Sequence, residues 1–113
     1  MYGLRRIVAR HALDAGLTSA QTGDLVLAVT EVASNSVRHA GGWGSLRIWQ
    51  DPLTLYCEVL DSGYIPYPVV GRERPTVDTE ASRGLWLVNQ LCDLVQVRTN
   101  ASGTVVRLHM SRA

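Results

Sequence analysis

A carboxylate, a carboxamide and an imidazole fall at every fourth position of the segment Glu31-Val-Ala-Ser-Asn35-Ser-Val-Arg38-His39. At roughly 100° per residue, an offset of four turns a helical side chain by only about 40°, so on a helix Glu31, Asn35 and His39 form one inclined row. Leu25, Ala28, Val29, Val32, Ala33 and Ser36 fill the adjoining face and read as the side that packs on the fold, so the polar row borders the core. A glutamate so placed can take a proton, and an asparagine can offer its carbonyl oxygen to a hard cation. The solvated margin of any amphipathic helix has the same composition, so the chemistry depends on what else the chain brings to this edge.

The bulk properties restrict the choice. A chain of 113 residues, 46% hydrophobic and 19% charged, reads as one domain over 1–113 with a single core. The 11 basic and 10 acidic residues are spread along it for a net charge of +1, and no basic stripe points to direct binding of nucleic acid. No apolar run approaches the roughly 20 residues of a membrane span, and Met-Tyr-Gly-Leu-Arg-Arg lacks the apolar segment of a secretory signal, so the expected compartment is the cytoplasm. All basic residues are Arg. The absence of Lys excludes a Walker P-loop, a Schiff-base enzyme and the usual protein-kinase fold with its strand Lys, and leaves backbone N–H groups, Arg or a metal ion to hold any phosphate. Cys57 and Cys92 are far apart, without zinc-ligand spacing, and each lies in an apolar run that reads as a buried free thiol.

The elements that must position these groups follow from hydrophobic period. Leu4, Ile7, Val8, Ala12 and Leu13 make a helical stripe over 2–15, with Gly16 as its stop. Thr18 or Ser19 can cap a second helix, carrying the polar row and ending at Gly41-Gly42. From Gly44 the period changes to two, and two strands flank the Asp51-Pro52 turn, the second ending at Leu60-Asp61-Ser62-Gly63 with a carboxylate at the strand's edge. Residues 64–82 hold Pro66, Pro68 and Pro75 without a lasting period, the pattern of a functional loop or lid. A short helix from Gly84 follows, then a hairpin with Val95 and Val97 on one strand, Val105 and Leu108 on the other, and a Ser102-Gly103 turn. The order ααββ, loop, αββ predicts an α+β two-layer sandwich, helices on one face of a mixed, mostly antiparallel sheet.

Four features thus recur in a fixed order: Glu31-x-x-x-Asn35 on a long helix, Asp61-x-Gly63 at a strand end, Arg83-Gly84-Leu85 opening a helix after a loop, and Gly103-Thr104 starting a late strand. This order resembles the GHKL (Bergerat-fold) ATPases. The wording Val-Thr-Glu-Val-x-Ser-Asn-Ser-Val-x-His-Ala and Arg-Gly-Leu-x-Leu-Val is most similar to the small histidine-kinase-like domains of bacterial anti-sigma-factor serine/threonine kinases, over roughly Leu4 to Met110.

The resemblance implies a role for each residue. Asn35 would coordinate a Mg²⁺ bridging the phosphates of ATP, an ion that takes few protein ligands and keeps several waters. Glu31 would be the general base toward a serine or threonine hydroxyl, or toward water. Asp61 would accept a hydrogen bond from the adenine amino group with Thr104 as its helper through water, and Gly63 would let the backbone approach the base. Gly84 and Leu85 would present free N–H groups to phosphate at a helix start, with Arg38, His39 and Arg83 as further phosphate contacts. Taken singly, Asp61 also suits an Asx-turn, His39 a helix C-terminus and Thr104 any strand.

The chain departs from the family pattern in three places. Tyr64-Ile65-Pro66 replaces a glycine after Asp61-x-Gly63, and Ser82 stands where a glycine often precedes Arg83; both remove backbone freedom from the lid. It also opens directly on the first helix where relatives open with a strand, which bears on homodimerisation or partner docking at that edge. The expected function is an ATP-dependent kinase of the anti-sigma type, with a sigma factor or an anti-anti-sigma-like protein as partner. The competing expectations are a non-catalytic nucleotide-sensing module that sequesters a partner, the catalytic fragment of a histidine kinase, and an interaction domain with a decayed pocket.

Overall fold

A computed structural model describes residues 2–39, 44–61, 80–100 and 103–112, with side chains at 2, 35–39, 80–83 and 100 left out of the description. Within these residues α1 (Tyr2–Asp14) and α2 (Ser19–His39) are followed by strands β1 (Gly44–Gln50) and β2 (Thr54–Asp61), helix α3 (Glu80–Leu91), and strands β3 (Leu94–Asn100) and β4 (Gly103–Ser111). The order is the one the hydrophobic periods predict. The sheet runs β1-β2-β4-β3, and all three described pairings are antiparallel, so the expected mixed character finds no parallel pair among the described strands.

The corner between α1 and α2 is built from local hydrogen bonds. Gly16 has φ +88°, the left-handed conformation that a helix C-terminus needs and that costs glycine nothing. The Gly16 N–H donates to Leu13 O at 3.0 Å and the Leu17 N–H to Ala12 O at 3.0 Å, the Schellman pair, with Ala12 and Leu17 both buried as its apolar contact. One residue later a capping box starts α2: the Thr18 N–H donates to Gln21 Oε1 at 2.9 Å and the Gln21 N–H to Thr18 Oγ1 at 3.1 Å, so Thr18 is the cap and Ser19 the first helical residue. A Cβ at Gly16 would meet nothing within 4 Å, so Gly16→Ala isolates the backbone strain. The expected loss is about 1 kcal/mol in urea unfolding, and an unchanged midpoint would mean that the turn relaxes freely.

The core lies between the helices and one face of the sheet. Val8 and Ala12 from α1, Leu25, Ala28, Val29 and Val32 from α2, and Val88 from α3 meet Leu55, Cys57, Val59, Val95, Val106, Leu108 and Met110 from the strands. Alternation puts Val106 and Leu108 inward and Val105 outward, so the inward partners of Val95 and Val97 are Leu108 and Val106. Cys57 and Cys92 are free and buried, and burial pushes both thiols up to about 12, which keeps them protonated and unreactive at neutral pH. No helix among the described residues is long and apolar enough to cross a membrane.

The opposite face of the sheet is polar and aromatic. Register aligns Trp49, Tyr56 and His109 in one row and Arg47, Glu58, Arg107 and Gln96 in the next. Glu58 is only 3% exposed on this outward face because two guanidiniums cover it. Arg47 Nη1 lies 3.3 Å from Oε1, and Arg107 Nε and Nη2 both lie 2.8 Å from Oε2. Trp49 stacks on Tyr56 at 5.1 Å, and Tyr56 meets His109 edge-on at 4.9 Å.

At the β1–β2 turn, Asp51 Oδ1 accepts from the N–H groups of Leu53 and Thr54, and the Tyr56 hydroxyl donates to Oδ2 at 2.6 Å. The Tyr56 bond first, then the backbone donor of Leu53, holds the Asp51 carboxyl below its ordinary value. Arg112 ties this turn to the helical corner by donating to Asp51 O at 2.7 Å and Ala15 O at 3.0 Å.

Candidate functional site

Helix α2 supplies the first half of the site. Its inner stripe is buried, and Glu31 stands half-buried between that stripe and solvent, where the helical period places it. Asn35, Arg38 and His39 belong to the last two turns of α2, and their side chains lie outside the described residues, as does all of Gly63. Thr30 Oγ1 donates back to Val26 O at 2.7 Å, a within-helix bond that satisfies its hydroxyl.

The sheet supplies the second half. Successive rungs of its inner face read Cys57, Leu108 and Val95, then Val59, Val106 and Val97, and then Asp61, Thr104 and Thr99. The apolar face therefore ends in a polar rung, with a half-buried carboxylate at the last residue of β2 and a Thr104 only 2% exposed beside it. The hydroxyls of Thr104 and Thr99 lie 3.1 Å apart and share a hydrogen bond. Gly44, the first residue of β1, faces Asp61 of β2, where a Cβ would come within 2.9 Å of Leu60 O, so only glycine fits at this end of the strand without a backbone shift.

One hydrogen bond sets the direction in which α2 crosses the sheet. Gln21 Nε2 donates to Ser111 O at 3.1 Å, joining the first turn of α2 to the last residue of β4. A 21-residue helix and a nine-residue strand are each about 30 Å long, close to the 35 Å long axis of the molecule. Packed against β4 and β2 from that fixed end, α2 delivers its C-terminal half, with Glu31 and Asn35, toward the end of the sheet that holds Asp61 and Thr104. Two motifs far apart in sequence are thereby directed to one end of the fold.

The third motif is placed differently from the sequence expectation. Helix α3 starts at Glu80, four residues before Gly84, so Gly84 and Leu85 sit buried in its second turn with the Gly84 N–H engaged in the helical pattern. The open N–H groups of this helix are those of its first turn, 80–83. Glu80 and Ala81 are strong helix formers, and a glutamate in the first turn suits the helix dipole, which explains the earlier start. Arg83 stands at the end of this first turn, its side chain outside the described residues. Sequence reasoning missed Thr99 and Gly44; the Thr99-x-x-x-x-Thr104 spacing across a hairpin turn was the available signal for the first.

The chain's similarities agree with this geometry. The family model described as "Histidine kinase-like ATPase domain" matches residues 1–110. Among solved structures, the histidine kinase domain of the Erythrobacter litoralis EL346 blue-light activated histidine kinase superposes with a TM-score of 0.68 at 23% identity, over 85% of this chain and 46% of that one. The Acinetobacter baumannii histidine kinase AdeS gives 0.63 at 9% identity over 80% of this chain and 47% of that one. The catalytic domain of histidine kinase ThkA gives 0.64 at 15% identity over 80% and 67%. The chain thus spans about half the length of the first and second of these structures. No curated protein matches it in sequence.

Proposed function

Because this chain belongs to the histidine kinase-like ATPase domain family, we propose that it is an ATP-binding regulatory protein that uses Mg²⁺ and transfers phosphate to a serine or threonine of an anti-anti-sigma-like partner. The observation that carries the nucleotide half of this reading is the polar rung Asp61, Thr104 and Thr99, which closes an otherwise apolar sheet face at the end toward which α2 runs. A half-buried carboxylate beside a buried, hydrogen-bonded hydroxyl suits the amino edge of a purine better than it suits phosphate, which it would repel. Phosphate then falls to α2's last turns, to Arg38, His39 and Arg83, and to the first turn of α3 rather than to Gly84 itself. Mg²⁺ would be carried mainly by phosphate oxygens, with Asn35 as a single protein ligand. Glu31, one helical turn before Asn35, is the residue that would take the hydroxyl proton.

The anti-sigma assignment, with a sigma factor as the second partner, rests on the Val29-to-Ala40 and Arg83-to-Val88 wording. A second reading, the catalytic part of a histidine kinase, is favoured by the solved structures the fold resembles and by the share of them it spans. The bond formed separates the two, since phosphoserine survives acid and phosphohistidine does not.

The first test is calorimetric titration of ATP into the wild type and Asn35→Ala, each with and without Mg²⁺. The wild type is expected to bind only with Mg²⁺ present, and Asn35→Ala to lose at least about tenfold in affinity. Equal Mg²⁺-dependent affinity in both would remove Asn35 as the ligand, and no binding to folded wild type would overturn the nucleotide reading.

A further inference from the structure

We propose that the outer face of the sheet, turned away from the helices, is a docking surface for an acidic polypeptide segment, with Arg98, Arg107 and Gln96 as its anion-binding centre. The outward positions of the described strands carry Arg47, Arg98 and Arg107 against a single carboxylate, Glu58. Glu58 is buried beneath Arg47 and Arg107, so two positive charges are left over at these strand positions.

A depression of about 200 Å³ opens at this point, lined by Glu58, Gln96, Arg98, Val105 and Arg107. Gln96 Oε1 lies 2.9 Å from His109 Nε2. With its oxygen taken by the ring N–H, the Gln96 amide nitrogen is the group left to donate. The depression therefore offers N–H donors from two guanidiniums and one amide, the set that a carboxylate accepts from. Glu58 holds Arg107 by two hydrogen-bond contacts to one oxygen, which fixes that guanidinium in place and lowers the ordering cost on binding.

The chemistry favours polypeptide over single-stranded nucleic acid. A platform for bases needs bare aromatic faces. Here Trp49 and Tyr56 are stacked on one another at an interplanar angle of 11°, Tyr56 is closed off by the His109 edge, and the guanidinium carbons of Arg47 and Arg107 lie 5.3 and 5.2 Å from the Trp49 ring centre. The rings brace the arginines. Beside the charges, half-buried Leu60 and Val105 and exposed Leu94 offer aliphatic contact to the side chains that alternate with carboxylates in an acidic strand.

This face stands apart from the Asp61 rung, so the inference does not depend on the nucleotide reading. The test is an NMR titration of the ¹⁵N-labelled chain with decaglutamate, with oligo-dT of equal length as the comparison. Amide signals of Gln96, Arg98, Val105 and Arg107 are expected to move with the peptide. Arg98→Glu, a change at an exposed side chain, is expected to weaken peptide binding at least about fivefold at low salt without lowering the melting temperature, and Arg98→Ala to fall between. Unchanged affinity in Arg98→Glu, shifts confined to other surfaces, no binding at millimolar peptide, or tighter binding of oligo-dT than of peptide would each overturn the proposal.

Discussion

Glu31→Gln is expected to cut phosphotransfer to the partner protein by about a hundredfold or more while ATP affinity stays within about twofold. Glutamine keeps the size and hydrogen-bonding reach of the side chain at its half-buried position and removes only its basicity. A proton acceptor acts in the transition state, so its loss falls on turnover and spares ground-state binding. The measurement is the initial rate of phosphoprotein formation under saturating Mg²⁺ and ATP, read beside the calorimetric affinity of the same preparation. Equal rates in the two proteins would strike Glu31 from the chemistry. Absence of any phosphoprotein with the wild type, alongside intact nucleotide binding and partner capture, would favour the sensing module.

The second large effect concerns stability and turns on which partner of a buried ion pair is removed. Arg107→Leu leaves the Glu58 carboxylate buried with only the 3.3 Å contact to Arg47, whereas Glu58→Leu leaves two guanidiniums whose side chains are 39% and 66% exposed and can return to water. The expected cost of Arg107→Leu is about 3 kcal/mol, against about 1 kcal/mol or less for Glu58→Leu. In a domain of this size that corresponds to a drop in Tm of about 10 °C for the first and a few degrees for the second. Chemical denaturation of both single variants and of the double variant checks the order. A double variant more stable than Arg107→Leu alone would show that the penalty is the stranded carboxylate, and equal losses in the two single variants would contradict the argument.

The elements were legible wherever a period lasted. The stripe of α1, the alternation around Cys57, and Gly16 as a stop each led to the observed element, although in α1 only Val8 and Ala12 are buried and Leu4 partly so, while Ile7 and Leu13 of the same stripe are exposed. Asp61 at the end of β2 was legible for the same reason. The start of α3 was not, because Glu80-Ala-Ser-Arg83 carries helix propensity without an apolar stripe and follows a proline-rich segment that masks it. The Glu58 cluster was illegible in a deeper sense. Strand alternation places Glu58 outward and predicts a solvated side chain; its two partners come from β1 and β4, and only the register of three strands reveals that they cover it. The pairing of Thr99 with Thr104 likewise became visible only once the β3–β4 register was fixed. Of the candidate site, the elements that carry Glu31, Asp61 and Thr104 were readable, while the direction of α2 toward the Asp61 rung required the Gln21–Ser111 tie.

That sheet order also shapes how the fold is reached. The helical corner and the β1–β2 and β3–β4 hairpins close over short stretches of chain, whereas β2 and β4 pair across all of residues 62–103. Closing such a loop loses chain entropy before its contacts return anything, so the central zipper is the slow, committing event among otherwise fast local steps. Asp61 and Thr104 form the pair nearest to that long connection. The rung that would read a nucleotide comes into existence only when the two halves of the chain meet.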